Sequence, residues 1–166
     1  MEFTSKEAFI DYFEKVRMRT VRIIRHIPDD KIDWAYKTGK FSFGDLIRHI
    51  GCIESHMYAK NMQDKASIYK GCGKEFGGNK EECVEFLDHC HNHFLEIFNE
   101  MDENKFFGKC TTPGDTRITV WKWLRLMLEH EIHHRGQIYL MLGMIGIQTP
   151  PLYGLTSEQV SEKSKT

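Results

Sequence analysis

Apolar residues recur every three or four positions along four segments of the chain, which is the period of an amphipathic helix. The segments run from about Ser5 to Ile27, from Ser42 to a glycine-rich stretch at 71–78, from about Asn79 to Met101, and from Ile118-Thr119-Val120 to about Ile145. Four such helices with little strand signal predict an all-α fold, an antiparallel four-helix bundle. The long break between the second and third helices leaves open whether a tight turn or a crossover joins them.

Residues at the beginnings of some of these segments are typical of helix N-termini. Thr4 followed by Glu7 predicts a capping box at the start of the first helix. Ser42 predicts the N-cap of the second helix, because Asp45 follows at the third position, where a carboxylate suits the helix dipole. Ile118-Thr119-Val120 fits either a short strand or the entry to the fourth helix. The glycine-rich stretch lacks the Lys-Ser/Thr ending of a phosphate-binding loop, so we assign it no nucleotide.

Length and charge narrow the possible functions. The 166 residues fit one domain, placed at 1–155, followed by a polar tail at 156–166 that we expect to be frayed. Lysine plus arginine (23) nearly balances aspartate plus glutamate (24), and a formal charge of −1 gives no bulk attraction to nucleic acid or to an anionic membrane. The longest uncharged run, 136–157, contains glutamines and prolines and does not predict a membrane span.

The cysteines and the N-terminus bear on the compartment. Five cysteines, an odd number without a Cys-x-x-Cys pair, favour reduced and mostly buried thiols. Because the N-terminus has no apolar signal core, we expect a cytoplasmic protein. The unusual residue is histidine, of which there are nine.

The sharpest motif is His130-Glu131-Ile132-His133-His134-Arg135-Gly136-Gln137 in the fourth helix. At about 100° per residue, His130 and His134 fall one turn apart in the same apolar sector. Unpaired polar groups in a core are unfavourable, so two inward imidazoles at this spacing predict a shared divalent ion. The alternative is a pair of buried histidines that hydrogen bond to carbonyl groups or to each other.

A metal ion needs a third ligand, and the second helix offers two histidines. His49 lies at the edge of that helix's apolar stripe, close enough to reach inward, whereas His56 lies two turns further along and is the alternate candidate. His89 and His93 form another pair four residues apart. They lie beside the apolar stripe of the third helix, towards its polar side, so we expect them to face solvent.

Two other residues of the motif bear on catalysis. His130-Glu131-x-x-His134 matches the zincin metalloprotease pattern, which stays a rival interpretation. Glu131 lies about 100° from His130 around the helix, so it is not a convincing general base, and we expect it to orient an imidazole instead. Arg135 points away from the apolar stripe, which predicts a supporting or surface role.

Two stretches resemble the DinB family, Phe41-Ser42-Phe43-Gly44-Asp45-Leu46-Ile47-Arg48-His49 and the motif from Glu129 to Gln137. The resemblance extends from the first helix through Pro150-Pro151-Leu152-Tyr153-Gly154. It implies a four-helix bundle that holds a divalent ion with three histidines, here His49, His130 and His134. Zinc, nickel and iron all suit imidazole ligands. The characterised relatives are thiol transferases, and one related group isomerises maleylpyruvate.

The resemblance therefore implies a metal-dependent enzyme that transfers a low-molecular-weight thiol to an electrophile, with such small molecules as its partners. The alternatives are a metal-dependent hydrolase, in which the ion activates water, and a bundle that binds metal without catalysis. Members of the family are often homodimers. Gly136 and Gly143, seven residues apart on the fourth helix and opposite the histidines, would allow another helix to approach closely.

Overall fold

The structure, a computed structural model, describes residues 2–165, and most of them are helical. The α-helices are α1 (Lys6–Ile24), α2 (Phe43–Ile53), α3 (Ala59–Met62), α4 (Lys80–Glu100), α5 (Glu103–Phe107), α6 (Val120–Met144) and α7 (Ser157–Lys163). Short 3-10 turns lie at Asp29–Lys31 and Lys74–Phe76, and a π-helical turn at Glu54–Tyr58 joins α2 to α3. Strands β1 (Lys109–Thr111) and β2 (Arg117–Thr119) form a two-stranded antiparallel sheet.

Four long helical units form the body of the molecule. They are α1, the continuous run from α2 through the π turn to α3, α4, and α6. The second unit packs against α4, and α1 packs against α6, so that apolar faces meet in one interior. The expected all-α four-helix bundle is confirmed.

The connection from α3 to α4 is a crossover. Arg48, in the first half of the second unit, contacts Cys83 near the start of α4. Further along both units Glu54 lies beside His91, so these two neighbours run in the same direction. Parallel neighbours need a connection that returns along the bundle, and residues 63–79 supply it. The structure thus decides the topology that the sequence left open.

The N-caps follow the local sequence closely. Ser42 is the N-cap of α2 as predicted, and it forms a capping box with Asp45, in which the Ser42 hydroxyl accepts from the Asp45 backbone amide at 3.1 Å. The cap predicted at Thr4 is wrong by one residue, because Ser5 accepts from the backbone amide of Ala8 at 3.1 Å and caps α1 instead.

Two other segments differ in part from the prediction. The Ile118-Thr119-Val120 stretch combines both expected forms, since β2 ends at Thr119 and α6 begins at Val120. The C-terminal segment, which was expected to be frayed, is helical at Ser157–Lys163, and its side chains there are exposed. Thr166 lies outside the described residues. In the range 2–165 no helix combines the length and the apolar character that a membrane crossing requires.

The core consists of two apolar clusters with charged side chains between them. One cluster is rich in aromatic rings and lies where the first halves of α1 and α6 meet the second half of α4. The other is mostly aliphatic and lies at the opposite end of the bundle. Between the two lie Arg17, Glu54, His91 and Glu131, all buried, which we call the buried charged layer.

Candidate metal centre

Antiparallel packing of the second unit against α6 brings together the three predicted ligands. Where the end of the second unit lies beside the start of α6, the ring centroids of Tyr58 and Trp123 are 4.6 Å apart. Earlier in the second unit and later in α6, His49 contacts His130. Nε2 of His130 is 3.1 Å from Nε2 of His49 and 3.0 Å from Nε2 of His134. One nitrogen from each ring lies within 4.8 Å of the other two. The structure therefore brings the three imidazoles together, and their role as ligands stays a prediction.

The spacing of these nitrogens is compatible with a divalent ion. Imidazole nitrogens bind zinc at about 2.0–2.1 Å, so two of them at roughly 90–110° around one ion are about 2.9–3.4 Å apart. The observed separations of 3.0 and 3.1 Å fall in that range.

Two of the rings are held by side chains that bond the opposite nitrogen. Nδ1–H of His134 donates to Oε1 of Gln137 at 2.7 Å, and Nδ1 of His49 is hydrogen bonded to the Tyr69 hydroxyl at 3.0 Å. The bond to Gln137 leaves Nε2 of His134 unprotonated, so its lone pair points to the other two rings. A divalent cation suits such a donor set.

Burial keeps the three rings neutral. Desolvation, followed by the charge that a protonated His134 would carry, lowers the pKa of His49 to about 4. Desolvation and the charges of the neighbouring rings lower the pKa of His130 to about 3. Desolvation also lowers the pKa of His134, although its hydrogen bond to Gln137 opposes the shift. At pH 7 each imidazole therefore keeps a lone pair that can bind a metal.

One side of the cluster opens to a cavity of about 660 Å³. His134 and Gln137 line it, together with apolar side chains of α6 and of the loop before α2. In the described part of the chain, no cysteine or carboxylate joins the three nitrogens as a fourth ligand. The arrangement therefore combines three protein donors with an adjoining space for a small molecule.

The other candidate histidines lie outside the cluster. His56, the alternate third ligand, packs against Phe76, with 5.7 Å between the ring centroids. His89 is exposed and His93 is half-buried, and their rings lie parallel at 6.5 Å on α4. This placement agrees with the predicted solvent-facing flank.

Glu131 and Arg135 occupy positions that the helical pattern did not predict. Both side chains are buried, because α6 has a second buried stripe that faces α1. Arg135 donates to the carbonyl of Val16 at 3.2 Å, so its predicted surface role is wrong. Glu131 pairs with Arg17 at 3.0 Å and does not orient an imidazole. The same ion pair removes Glu131 as a zincin-type base, so the metalloprotease interpretation is wrong.

The buried charged layer had no signal in the sequence pattern. Arg17 bonds to both Glu54 and Glu131, and His91 lies 3.0 Å from Glu14 and 3.7 Å from Glu54. Burial alone would lower the pKa of His91, but the nearby Glu54 carboxylate and the hydrogen bond to Glu14 outweigh it and raise the pKa. Because the layer joins α1, α4, α6 and the π turn, it fixes the relative positions of the helices that carry the three imidazoles.

Comparison with known proteins identifies the family. The sequence profile of the DinB superfamily matches residues 12–138, a range that includes the three converging histidines. The chain belongs to the DinB superfamily. No curated protein sequence matches this DinB chain significantly.

Solved structures agree with this assignment. A DinB-like protein from Bacillus cereus superposes with a TM-score of 0.73 at 14% identity, covering 92% of this chain and 100% of the other. A DinB-like protein from Bacillus subtilis gives 0.69 at 19% identity, covering 87% and 96%. A mutant of the mycothiol-dependent maleylpyruvate isomerase gives 0.61 at 11% identity, covering 82% of this chain and 63% of the isomerase. At these identities the likeness shows the fold.

Proposed function

We propose that this DinB chain is a metal-dependent enzyme that transfers a low-molecular-weight thiol to an electrophile. In this reaction the thiol releases its proton to solvent, the sulfur forms a bond to the electrophilic carbon, and a leaving group such as chloride departs with the electron pair of its bond to that carbon. His49, His130 and His134 would hold the ion. Proteins of the DinB superfamily bind metal ions, and zinc, nickel and iron are each compatible with three imidazole nitrogens.

The observation that carries the proposal is the convergence of three neutral imidazoles beside an open cavity. Structural zinc sites are closed by four protein ligands, whereas catalytic sites have three and leave a position for water or substrate. The three nitrogens here have no fourth protein ligand among residues 2–165, and His134 lines a space that a small molecule can enter. This favours an enzyme over a bundle that binds metal for stability.

Each group has a definite task in this proposal. An ion in this site supplies positive charge that lowers the pKa of a bound thiol. Gln137 and Tyr69 hold the rings of His134 and His49 so that Nε2 of each faces the common point.

A thiol is the preferred substrate for two reasons. The mycothiol-dependent isomerase, which has a similar fold, uses a small thiol. In addition, no carboxylate base adjoins the three nitrogens in the described chain, and a thiol loses its proton more readily than water does. Hydrolysis by bound water is the alternative that the assay below separates.

The test is a thiol-transfer assay on chain loaded separately with zinc, nickel or ferrous iron. Loss of free thiol is followed with N-acetylcysteine, glutathione or mycothiol and 1-chloro-2,4-dinitrobenzene, and ester hydrolysis is followed in parallel with 4-nitrophenyl acetate. We expect metal-dependent thiol consumption that His134→Ala abolishes and that the exposed control His89→Ala retains. Metal-dependent ester hydrolysis without thiol transfer would replace the proposal with a hydrolase. Absence of both reactions in protein that holds its ion would favour the non-catalytic bundle.

A further inference from the structure

The cavity beside His134 has walls of two different origins. One wall is the loop before α2, through Tyr36, Lys40 and Phe41, and the other is the last part of α6, through Leu140 and Met144. Its volume of about 660 Å³ lies within the range of small-molecule sites, about 300–1,000 Å³. The inference that follows rests on the proposed function, because it concerns the substrate of the same site.

The walls are largely apolar, although they are open to solvent. Phe41, Leu140 and Met144 line the cavity with 41%, 66% and 56% of their surface exposed. Large apolar side chains that remain exposed around one concave space are a common feature of ligand sites. The ring of Phe41 also lies 5.2 Å from the ring of His49, so the apolar wall continues to the imidazole cluster.

One positively charged side chain lies among these apolar groups. Of the described residues that line the cavity, Lys40 is the only one with a formal charge at pH 7, and no carboxylate faces it there. A turn holds its backbone in place, since the Lys40 amide donates to the Lys37 carbonyl at 3.1 Å and Gly39 takes a left-handed conformation with φ of +75°. The cavity is therefore apolar with a single positive charge at its rim.

We propose that this cavity binds a substrate that has an apolar body and one acidic group. The ammonium group of Lys40 forms an ion pair with that acidic group. The apolar body would pack between Phe41 and the Leu140–Met144 wall, which places the remaining end of the molecule near His134. Lys40 is then a specificity-determining residue for anionic substrates. Gln137, which lines the cavity and holds His134, links the two parts of the site.

The test compares two probes of nearly equal size, 4-phenylbutyrate and 4-phenylbutan-1-ol, which differ in charge. Dissociation constants are measured by ligand-observed NMR on the full chain, both metal-free and loaded with zinc. Because a carboxylate can also bind a metal ion, the metal-free protein isolates the contribution of Lys40. We expect the carboxylate to bind about fivefold more tightly than the alcohol in metal-free protein, the order expected for a partly exposed charge-assisted hydrogen bond.

Three variants separate charge from shape. Lys40→Gln should make the two probes bind equally, and Phe41→Ala should weaken both. Lys37→Gln is the matched control: Lys37 is in the same turn but does not line the cavity, and it should leave the fivefold preference intact. Equal loss of preference in the Lys37 and Lys40 variants would show a general charge effect and overturn the proposal. Failure of both probes to bind would also overturn it.

The outcome is distinguishable from failure of the proposed function. Preferential binding in metal-free protein tests the cavity alone, whereas metal content and thiol transfer test the imidazole cluster. If His134→Ala removes the ion while the carboxylate preference persists, both assignments stand. If the wild-type chain binds no metal but shows the preference, the cavity still binds apolar acids through Lys40, and only the enzyme proposal fails.

Discussion

The buried charged layer gives the sharpest stability prediction. Arg17→Met keeps much of the apolar stem but removes the guanidinium that pairs with Glu54 and Glu131. The side chains of these three residues are 5%, 2% and 3% exposed, so the two carboxylates would lose their shared cation in a site that water scarcely reaches. Burying a charge without a partner is strongly unfavourable.

The expected magnitude follows from that burial. Removing one partner of a buried ion pair costs about 3–5 kcal/mol of unfolding free energy. For a domain of this size each kcal/mol lowers Tm by about 2–4 °C, so Arg17→Met should lower Tm by about 6–20 °C. The triple variant Arg17→Met, Glu54→Gln, Glu131→Gln should recover most of the loss, because it removes the two carboxylates together with their cation and leaves His91 its bond to Glu14.

The assay is urea unfolding of the metal-free chain at pH 7, followed by circular dichroism. Arg22→Met is the matched control, since Arg22 is exposed on the same helix and should change the unfolding free energy by less than about 0.5 kcal/mol. If Arg17→Met fails to fold, Arg17→Lys provides the comparison, because it keeps the charge and should be milder. An Arg17→Met protein as stable as the Arg22→Met control would refute this account of the layer.

Three further predictions concern the site, pH and assembly. Gln137→Leu should weaken zinc affinity about 10–100-fold in chelator competition, because His134 loses the bond that orients it, and unchanged affinity would contradict that role. The folded chain raises the pKa of His91 above its ordinary 6.5, so protonated His91 stabilises the fold below about pH 6.5 and loses this contribution as pH rises through the raised pKa. His91→Gln should therefore destabilise metal-free protein more at pH 5.5 than at pH 8.5, and an equal loss at both values would be inconsistent with the raised pKa. We expect the chain to run as a homodimer in light scattering. Gly143→Arg should fold, because a Cβ at this exposed position meets no atom of the chain within 4 Å, and should produce monomers, because the long side chain would block the close approach of another helix; a wild-type monomer would contradict the predicted homodimer.

Much of the site was predictable because it depends on local spacing. The four-residue interval places His130 and His134 on one face of α6, and the apolar stripe of α2 points His49 towards the same interior. Ser42 and Asp45 form their capping box within one turn, so that boundary needed no tertiary information.

The rest depends on contacts between distant parts of the chain. Tyr69 is in a loop, and nothing in its surroundings in the sequence indicates a bond to His49. Glu131 bonds to Arg17 across 114 positions, and a single helical stripe does not reveal that α6 is buried on a second face. Gln137 is the exception, because its place one turn after His134 is a usable signal for a side chain that orients the imidazole.

The central claim is tested most directly by the metal content of the purified chain. The chain is expressed and purified without chelator, incubated with zinc and desalted. Inductively coupled plasma mass spectrometry should then find about one zinc ion per wild-type chain. His134→Ala should retain almost none, whereas the double variant His89→Ala, His93→Ala should match the wild type. One ion per chain in folded His134→Ala protein, or no ion in the wild type, would contradict a metal centre at these three imidazoles.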